Sequence, residues 1–271
     1  MDYIANSKDI FPTVEIKGGV SITYRDEDQS FGAIGLYVKN EILNNILSKV
    51  KTITNEYLDS IIYSNTSYKY SKKLFEEHPD FATRVSGGSS RYLSSSVFDK
   101  LSEMFFDNPR ENNEKYIKII GRQNSHRVEY YTKLKYLIPP QNFDKYKVFI
   151  SSSNGTGEFG EILTMPFLGE PNVGATETFV SIGDFNKKSD AENLIKYIKS
   201  KFARTLLGTL KVTQGNKNSW VWSNIPLQDF TDKSDIDWSK PVAEIDQQLY
   251  KKYNLTQEEI DFIEKSIKPM E

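Results

Sequence analysis

Few side chains in this 271-residue sequence are of the types that carry covalent or metal chemistry. Cysteine is absent, which removes disulfides, thiol nucleophiles and thiolate metal sites. The two histidines, His78 and His126, are too few to build a histidine metal centre. Glu15-Ile16-Lys17 has the acidic-x-Lys spacing of metal-dependent nucleases, but Asp9 is too close in sequence to sit on the partner strand such a site needs. Ser86-Gly-Gly-Ser-Ser-Arg91 is loosely like a phosphate-cradling loop, yet it lacks the Gly-Lys-Ser/Thr that opens a helix in the Walker pattern. What the sequence does hold is clusters of cations and amides. Arg122, Gln123, Asn124, His126 and Arg127 fall in one short stretch, and Lys211, Thr213, Gln214, Asn216, Lys217 and Asn218 in another. Such groups donate to phosphates, and Arg, Asn and Gln can pair two-pronged with guanine or adenine edges.

The first stretch reads as the tip of a hairpin between Tyr116–Ile120 and Val128–Tyr131. The second follows a strand over Thr176–Ile182 and a helix from Ser189 to about Leu207. Ser189 and Glu192 stand three apart, the spacing of a capping box. Leu194, Ile195, Ile198, Phe202 and Leu206 recur with helical period, and Gly208 stands where a left-handed cap would end the helix. The polar face then carries Lys196, Lys199, Lys201 and Arg204. No Asp or Glu occurs from Asn193 through Gln228. A third stretch, the strand Lys145–Ile150 with Lys147, runs into Ser151-Ser-Ser-Asn-Gly-Thr-Gly157. There Ser152 and Asn154 sit among residues small enough for backbone amides to approach a ligand.

Elsewhere the pattern alternates between short strands and helices. Thr13–Ile16 and Val20–Tyr24 flank Lys17-Gly-Gly19 as a hairpin, Phe31–Val38 reads as a strand, and Asn40–Tyr57 as a helix or a pair of short ones. Glu161–Phe167 and Trp220–Trp222 read as strands, and Thr256 with Glu259 forms a second capping box before a last helix. The fold class expected is α+β, with mixed or antiparallel sheets and flanking helices. Net charge is −2, so a uniformly basic binder is excluded, but acidic residues gather at 26–28 and 229–271 and leave the middle basic. Local clustering, not net charge, sets an electrostatic footprint. Without a bilayer-length apolar run or a signal-peptide pattern at Met1–Asn6, no membrane partner is expected and a cytoplasmic location is the default.

Two sets of residues bring a family into view. Phe11-Pro-Thr-Val-Glu-Ile-Lys-Gly-Gly-Val20 resembles a segment of bacterial adenine-specific DNA methyltransferases of restriction–modification systems, on the last two strands of their methyltransferase fold. Lys147–Ser151, Glu177–Phe179, Lys196–Phe202, Lys211–Gln214 and Lys251–Glu264 look like the C-terminal region of the same enzymes. In the family that region is a target-recognition domain, similar in kind to the specificity domains of TaqI-like enzymes and type I specificity subunits.

The resemblance implies a target-recognition-domain-like fold with double-stranded DNA and an upstream methyltransferase domain of the parent chain as partners. It implies phosphate contacts from Lys147, Lys196, Lys199 and Arg204, and base reading from loops 122–127 and 213–218. The catalytic Asn-Pro-Pro-Tyr/Phe is absent, since Pro139-Pro140 is preceded by Ile138 and followed by Gln141. The Gly-rich loop for S-adenosylmethionine is absent too. The expectation is therefore a non-catalytic piece without cofactor, S-adenosylmethionine belonging to the parent protein, an adenine-specific methyltransferase with or without a fused endonuclease. Residues 1–25 would be a remnant of the methyltransferase sheet, 26–245 the recognition domain and 246–271 a helical tail. The alternatives are a protein-interaction or RNA-binding module and a stand-alone nuclease.

Overall fold

A computed structural model describes residues 2–16, 18–30, 36–38, 40–85, 87, 91–211 and 213–270. The chain opens with β1 (Asp2–Ile4) and β2 (Val20–Ile22), followed by α1 (Glu41–Ile53). Next come β3 (Ile62–Tyr63), β4 (Lys69–Tyr70) and three short helices, α2 (Lys72–Glu77), α3 (Phe81–Arg84) and α4 (Val97–Lys100). A long hairpin of β5 (Tyr116–Gln123) and β6 (His126–Lys133) leads to β7 (Leu137–Ile138), β8 (Tyr146–Ser151), β9 (Phe167–Gly169), β10 (Val173–Ala175) and β11 (Phe179–Phe185). Four helices complete it: α5 (Lys188–Lys199), α6 (Lys201–Gly208), α7 (Val242–Lys252) and α8 (Gln257–Ser266).

These elements make an α+β fold of several small, mostly antiparallel sheets. The largest sheet has the order β3-β11-β8-β9. Its apolar positions Val148, Ile150, Val180 and Ile182 meet α1, α5 and α6 in a main core that also takes in Trp222, Tyr253 and Ile263. A second core, built from Tyr68, Leu74, Leu93, Leu101, Ile117 and Tyr136, lies against the β10-β5-β6 sheet. Its residues fall in the chain between two parts of the main core, so the second unit is inserted into the first. A small cluster of Ile120, Phe149, Ala175 and Phe179 joins the two, and β10 pairs with β5 in parallel, Gly174 opposite Ile119.

Local chemistry accounts for several boundaries. Asn40 caps α1 by accepting from the Leu43 amide, and Leu43, Ile46, Leu47 and Val50 bury one face. At α8 the capping box is complete, with Thr256 and Glu259 each accepting the other's backbone N–H. The hairpin turn holds only Asn124 (φ 51°) and Ser125 (φ 66°), the left-handed pair that matches strand twist in a two-residue connection.

Other expectations change. Val20–Ile22 pairs with Asp2–Ile4 rather than with Thr13–Ile16, because two left-handed glycines, Gly18 (φ 92°) and Gly19 (φ 73°), turn the chain onto Tyr3 and Ile4. Residues 31–35 of the expected strand Phe31–Val38 lie outside the described residues, as do Lys17, Val212 and most of 86–90. Of Glu161–Phe167, only Phe167 enters a strand, and Ser219–Trp222 is a 3-10 turn. Ser189 lies inside α5 and donates to Asp190 instead of capping.

The single expected helix is two, broken at Ser200 (ψ 146°). The new N-terminus is held by Ser200 Oγ, which accepts from the Ala203 amide, and by the Asp246 carboxylate, which accepts from Lys201 and Phe202. Gly208 is the last helical residue, and Thr209 after it is right-handed. Residues 246–271 form no separate tail, since Leu249, Tyr250, Tyr253, Ile263 and Met270 belong to the main core. Among the described residues no helix is long and apolar enough to cross a membrane.

Candidate nucleic-acid interface

The small-residue loop 151–157 and the polar loop 211–218, far apart in sequence, are tied together by their backbones. Ser152 donates to the Thr178 carbonyl, Asn216 to the Ser152 carbonyl (2.9 Å) and Asn154 to the Gln214 carbonyl (2.9 Å). Ser153 and Gly215 form an antiparallel bridge between them. Gly157 (φ 93°) permits the closest approach, because a Cβ there would stand 2.6 Å from the Thr213 nitrogen.

Inside this platform, Asn216 is buried and structural. Its Nδ2 donates to the Ser151 carbonyl (3.0 Å) and to Asn154 Oδ1, and its own carbonyl accepts from Trp222 Nε1 (3.0 Å). Lys211 is also buried, ion-paired to Glu161, whose carboxylate accepts from the Thr156 and Gly157 amides. Burial pushes the Glu161 carboxyl up, but the Lys211 ammonium and those amides outweigh it and hold it below its usual value. Left facing solvent are Thr213, Gln214, Lys217 and Asn218, with Ser152 and Asn154 half-buried beside them.

Beside the platform lies a polar cleft of about 320 Å³ lined by Asn65, Ser95, Ser152, Ser153, Glu177, Thr178, Gly215 and Lys217. Glu177 stands where the two cores meet. Its amide donates to the Leu93 carbonyl (2.8 Å), its carbonyl accepts from Asn65 Nδ2 (2.9 Å), and its carboxylate accepts from the Ser95 amide (2.8 Å). Burial and the facing Glu177 carboxylate push the Tyr92 phenol up.

On the hairpin, Arg122 stands directly opposite Arg127, and Gln123 opposite His126. Like charges in register repel, yet no carboxylate pairs with either arginine among the described residues. The Arg127 guanidinium instead lies 4.5 Å over the Phe167 ring, and both arginines are exposed. Gln123 is already engaged, donating to Asp99 and accepting from the Tyr130 hydroxyl. Asn124 serves the turn.

The expected phosphate contacts on strand and helix fare differently. Lys147 is fully buried, its ammonium held by the carbonyls of Asn142, Phe143, Lys145 and Glu170 at 2.9–3.2 Å. Burial pushes its pKa down to about 8. Arg204 is 3% exposed and donates to the carbonyls of Lys199 and Lys268, with its pKa pushed down to about 10 by burial. Lys196 ties the Trp238 (2.6 Å) and Lys240 carbonyls. Lys201 pairs with Glu264. Of this set Lys199 alone keeps a half-exposed side chain without a bonding partner among the described residues. The helix face reads as solvated in isolation but is covered by α7, α8 and the 229–240 segment.

Glu177, Ser95, Asn65 and Phe167 had no local signal, because the contacts that give them their places span up to 112 residues. Among the described residues no group of three His, Asp or Glu could hold a metal. Comparison with models of known protein families and with curated protein sequences returns no match.

Proposed function

We propose that the chain is a sequence-specific DNA recognition module of the restriction–modification kind, without chemistry of its own, serving an adenine-specific methyltransferase. The observation that carries this reading is the platform itself. The small-residue loop 151–157 and the acid-free loop 211–218 are joined by backbone hydrogen bonds, and the second presents Thr213, Gln214, Lys217 and Asn218 outward. Phosphates are met by Arg122, Arg127 and Lys217, and base edges by Gln214 and Asn218, since the Asn154 amide is occupied by Asn216 and the Ile162 carbonyl. S-adenosylmethionine and catalysis belong to the methyltransferase domain. A sheet for the N-terminal segment to pack on fits its unusual surface, where Phe11, Val14, Ile16, Ile22 and Tyr24 are 40–74% exposed.

The test is selection from a random duplex pool, followed by anisotropy titrations over a range of salt. Selected duplexes are expected to bind tighter than random ones, and log K to fall linearly with log salt as counterions are released. Arg122→Ala with Arg127→Ala should lower that slope by about two, while Gln214→Ala should cost about 1–3 kcal/mol on the selected site only. Equal affinity for selected and random duplexes would sink sequence recognition. Tighter binding to duplex RNA would replace DNA as the ligand, and a saturable heat with S-adenosylmethionine would restore an enzyme.

A further inference from the structure

The cleft beside the platform contains a group that a phosphate-binding surface should avoid. Glu177 carries a negative charge next to Lys217 and the loops proposed to approach a polyanion. It pairs with no cation among the described residues, so its charge is not cancelled locally. Nor is it a mobile surface carboxylate. Its backbone bonds with Leu93 and the Asn65 amide fix its main chain, the Ser95 amide holds one carboxylate oxygen at 2.8 Å and the Tyr92 hydroxyl also bonds the carboxylate, which leaves lone pairs for a further donor. The other walls are short and neutral, chiefly the hydroxyls of Ser95, Ser152 and Ser153. A fixed acceptor in a small polar cleft, with an ammonium at the rim, is matched by a ligand that offers an N–H donor and a phosphate a few ångströms from it. In DNA the donors of that kind are the exocyclic amines, and carboxylates accept from cytosine N4 in direct readout.

The geometry points to Glu177 as a specificity-determining residue that accepts a hydrogen bond from the exocyclic amine of one base, cytosine N4 or adenine N6, while Lys217 holds the adjoining phosphate. This rests on the DNA-recognition reading. Repulsion from phosphates makes the carboxylate a penalty for every duplex, and the amine offsets it at a single sequence position. Its main effect is therefore rejection of wrong bases.

The experiment uses the full chain and its selected duplex. At each cytosine and adenine in turn, the amine is removed by replacing the base pair's amino base with an analogue lacking that group. Wild type is expected to lose about 5- to 100-fold at one position that Glu177 reads. Glu177→Met, which keeps the length but has neither the charge nor an oxygen acceptor, should bind that substituted duplex and the parent duplex within about two-fold of each other, and should bind random duplex more tightly than wild type does. Lys217→Ala should weaken all duplexes alike and leave the position dependence intact. The scan of wild type stands even if Glu177→Met folds poorly. If wild type binds its selected duplex tightly but tolerates amine removal everywhere, or if Glu177→Met shows the same position dependence as wild type, the assignment is overturned while DNA recognition survives. If no duplex is selected over random, both fall.

Discussion

At the scale of single residues, charge in this protein is often an internal fastener. Lys147 satisfies four backbone carbonyls and closes the segment 142–147 onto Glu170. Lys147→Met keeps the length and leaves those acceptors unpaired, so urea unfolding should show a loss of about 2–4 kcal/mol. DNA affinity of the folded protein should stay unchanged, because the ammonium never reaches solvent. Asp246 supplies a pH signature. Burial pushes its pKa up to about 6 from a normal 3.8, against the pull of the Phe202 and Lys201 amides. The folded state thus holds this proton more tightly than the unfolded chain does. The stability it contributes is fully present below pH 3.8 and is lost as pH rises through about 6. Unfolding midpoints of wild type and Asp246→Asn, measured from pH 4 to 7, should differ in slope in that window, the wild type alone losing this term as pH rises. Sequence could name Lys147 and Arg204 as cations but not as buried ones, because what covers them comes from other parts of the chain.

At the scale of elements, the same three-residue spacing has opposite outcomes. Thr256 and Glu259 cap α8 reciprocally, whereas Ser189 and Glu192 sit inside α5, which begins at Lys188. A capping box depends on the backbone at its first residue being extended, and spacing does not report that. The break at Ser200 was hidden for a related reason. Its hydrogen-bond acceptor Asp246 lies on α7, and no local pattern announces it. The α1 helix, the hairpin and the last helix were legible because their signals are short-range: a cap, a period, a two-stranded alternation. Their turn chemistry gives a further test. Ser125 holds φ 66° as the second residue of the hairpin turn, a conformation glycine adopts without its side-chain clash. Ser125→Gly should raise stability by about 0.5–1 kcal/mol in denaturant titrations. It should leave the salt slope of DNA binding as it was, since Arg122 and Arg127 keep their register.

At the scale of the molecule, the α+β class was readable from alternating short strands and helices, but the nesting of one core within another was not. The second core runs through residues 68–143, while main-core residues flank it on both sides, Ile46 to Leu58 before and Val148 onward after. Nothing in composition marks those borders, because both units use the same aromatic and aliphatic residues. Nesting predicts unequal dependence on the last helices. A chain truncated after Asn254 loses Ile263, Ile267 and Met270 from the main core and the Glu259 partner of Lys49. Limited proteolysis of that truncate should cut within α1 and α5–α7 and leave a protected fragment spanning residues 68–143. Uniform digestion of both units would argue against independent cores.

The contact between α1 and α8 also bears on how the protein is made. Lys49 reaches the Asn254 carbonyl (3.0 Å) and Glu259 (2.6 Å), the latter across 210 residues. At roughly 5–20 residues per second on the ribosome, about 10–40 s separate the emergence of α1 from that of its partner. The inserted unit, with its local hairpin, can close during that interval. The part of the α1 surface that α8 covers stays open until the end of that interval.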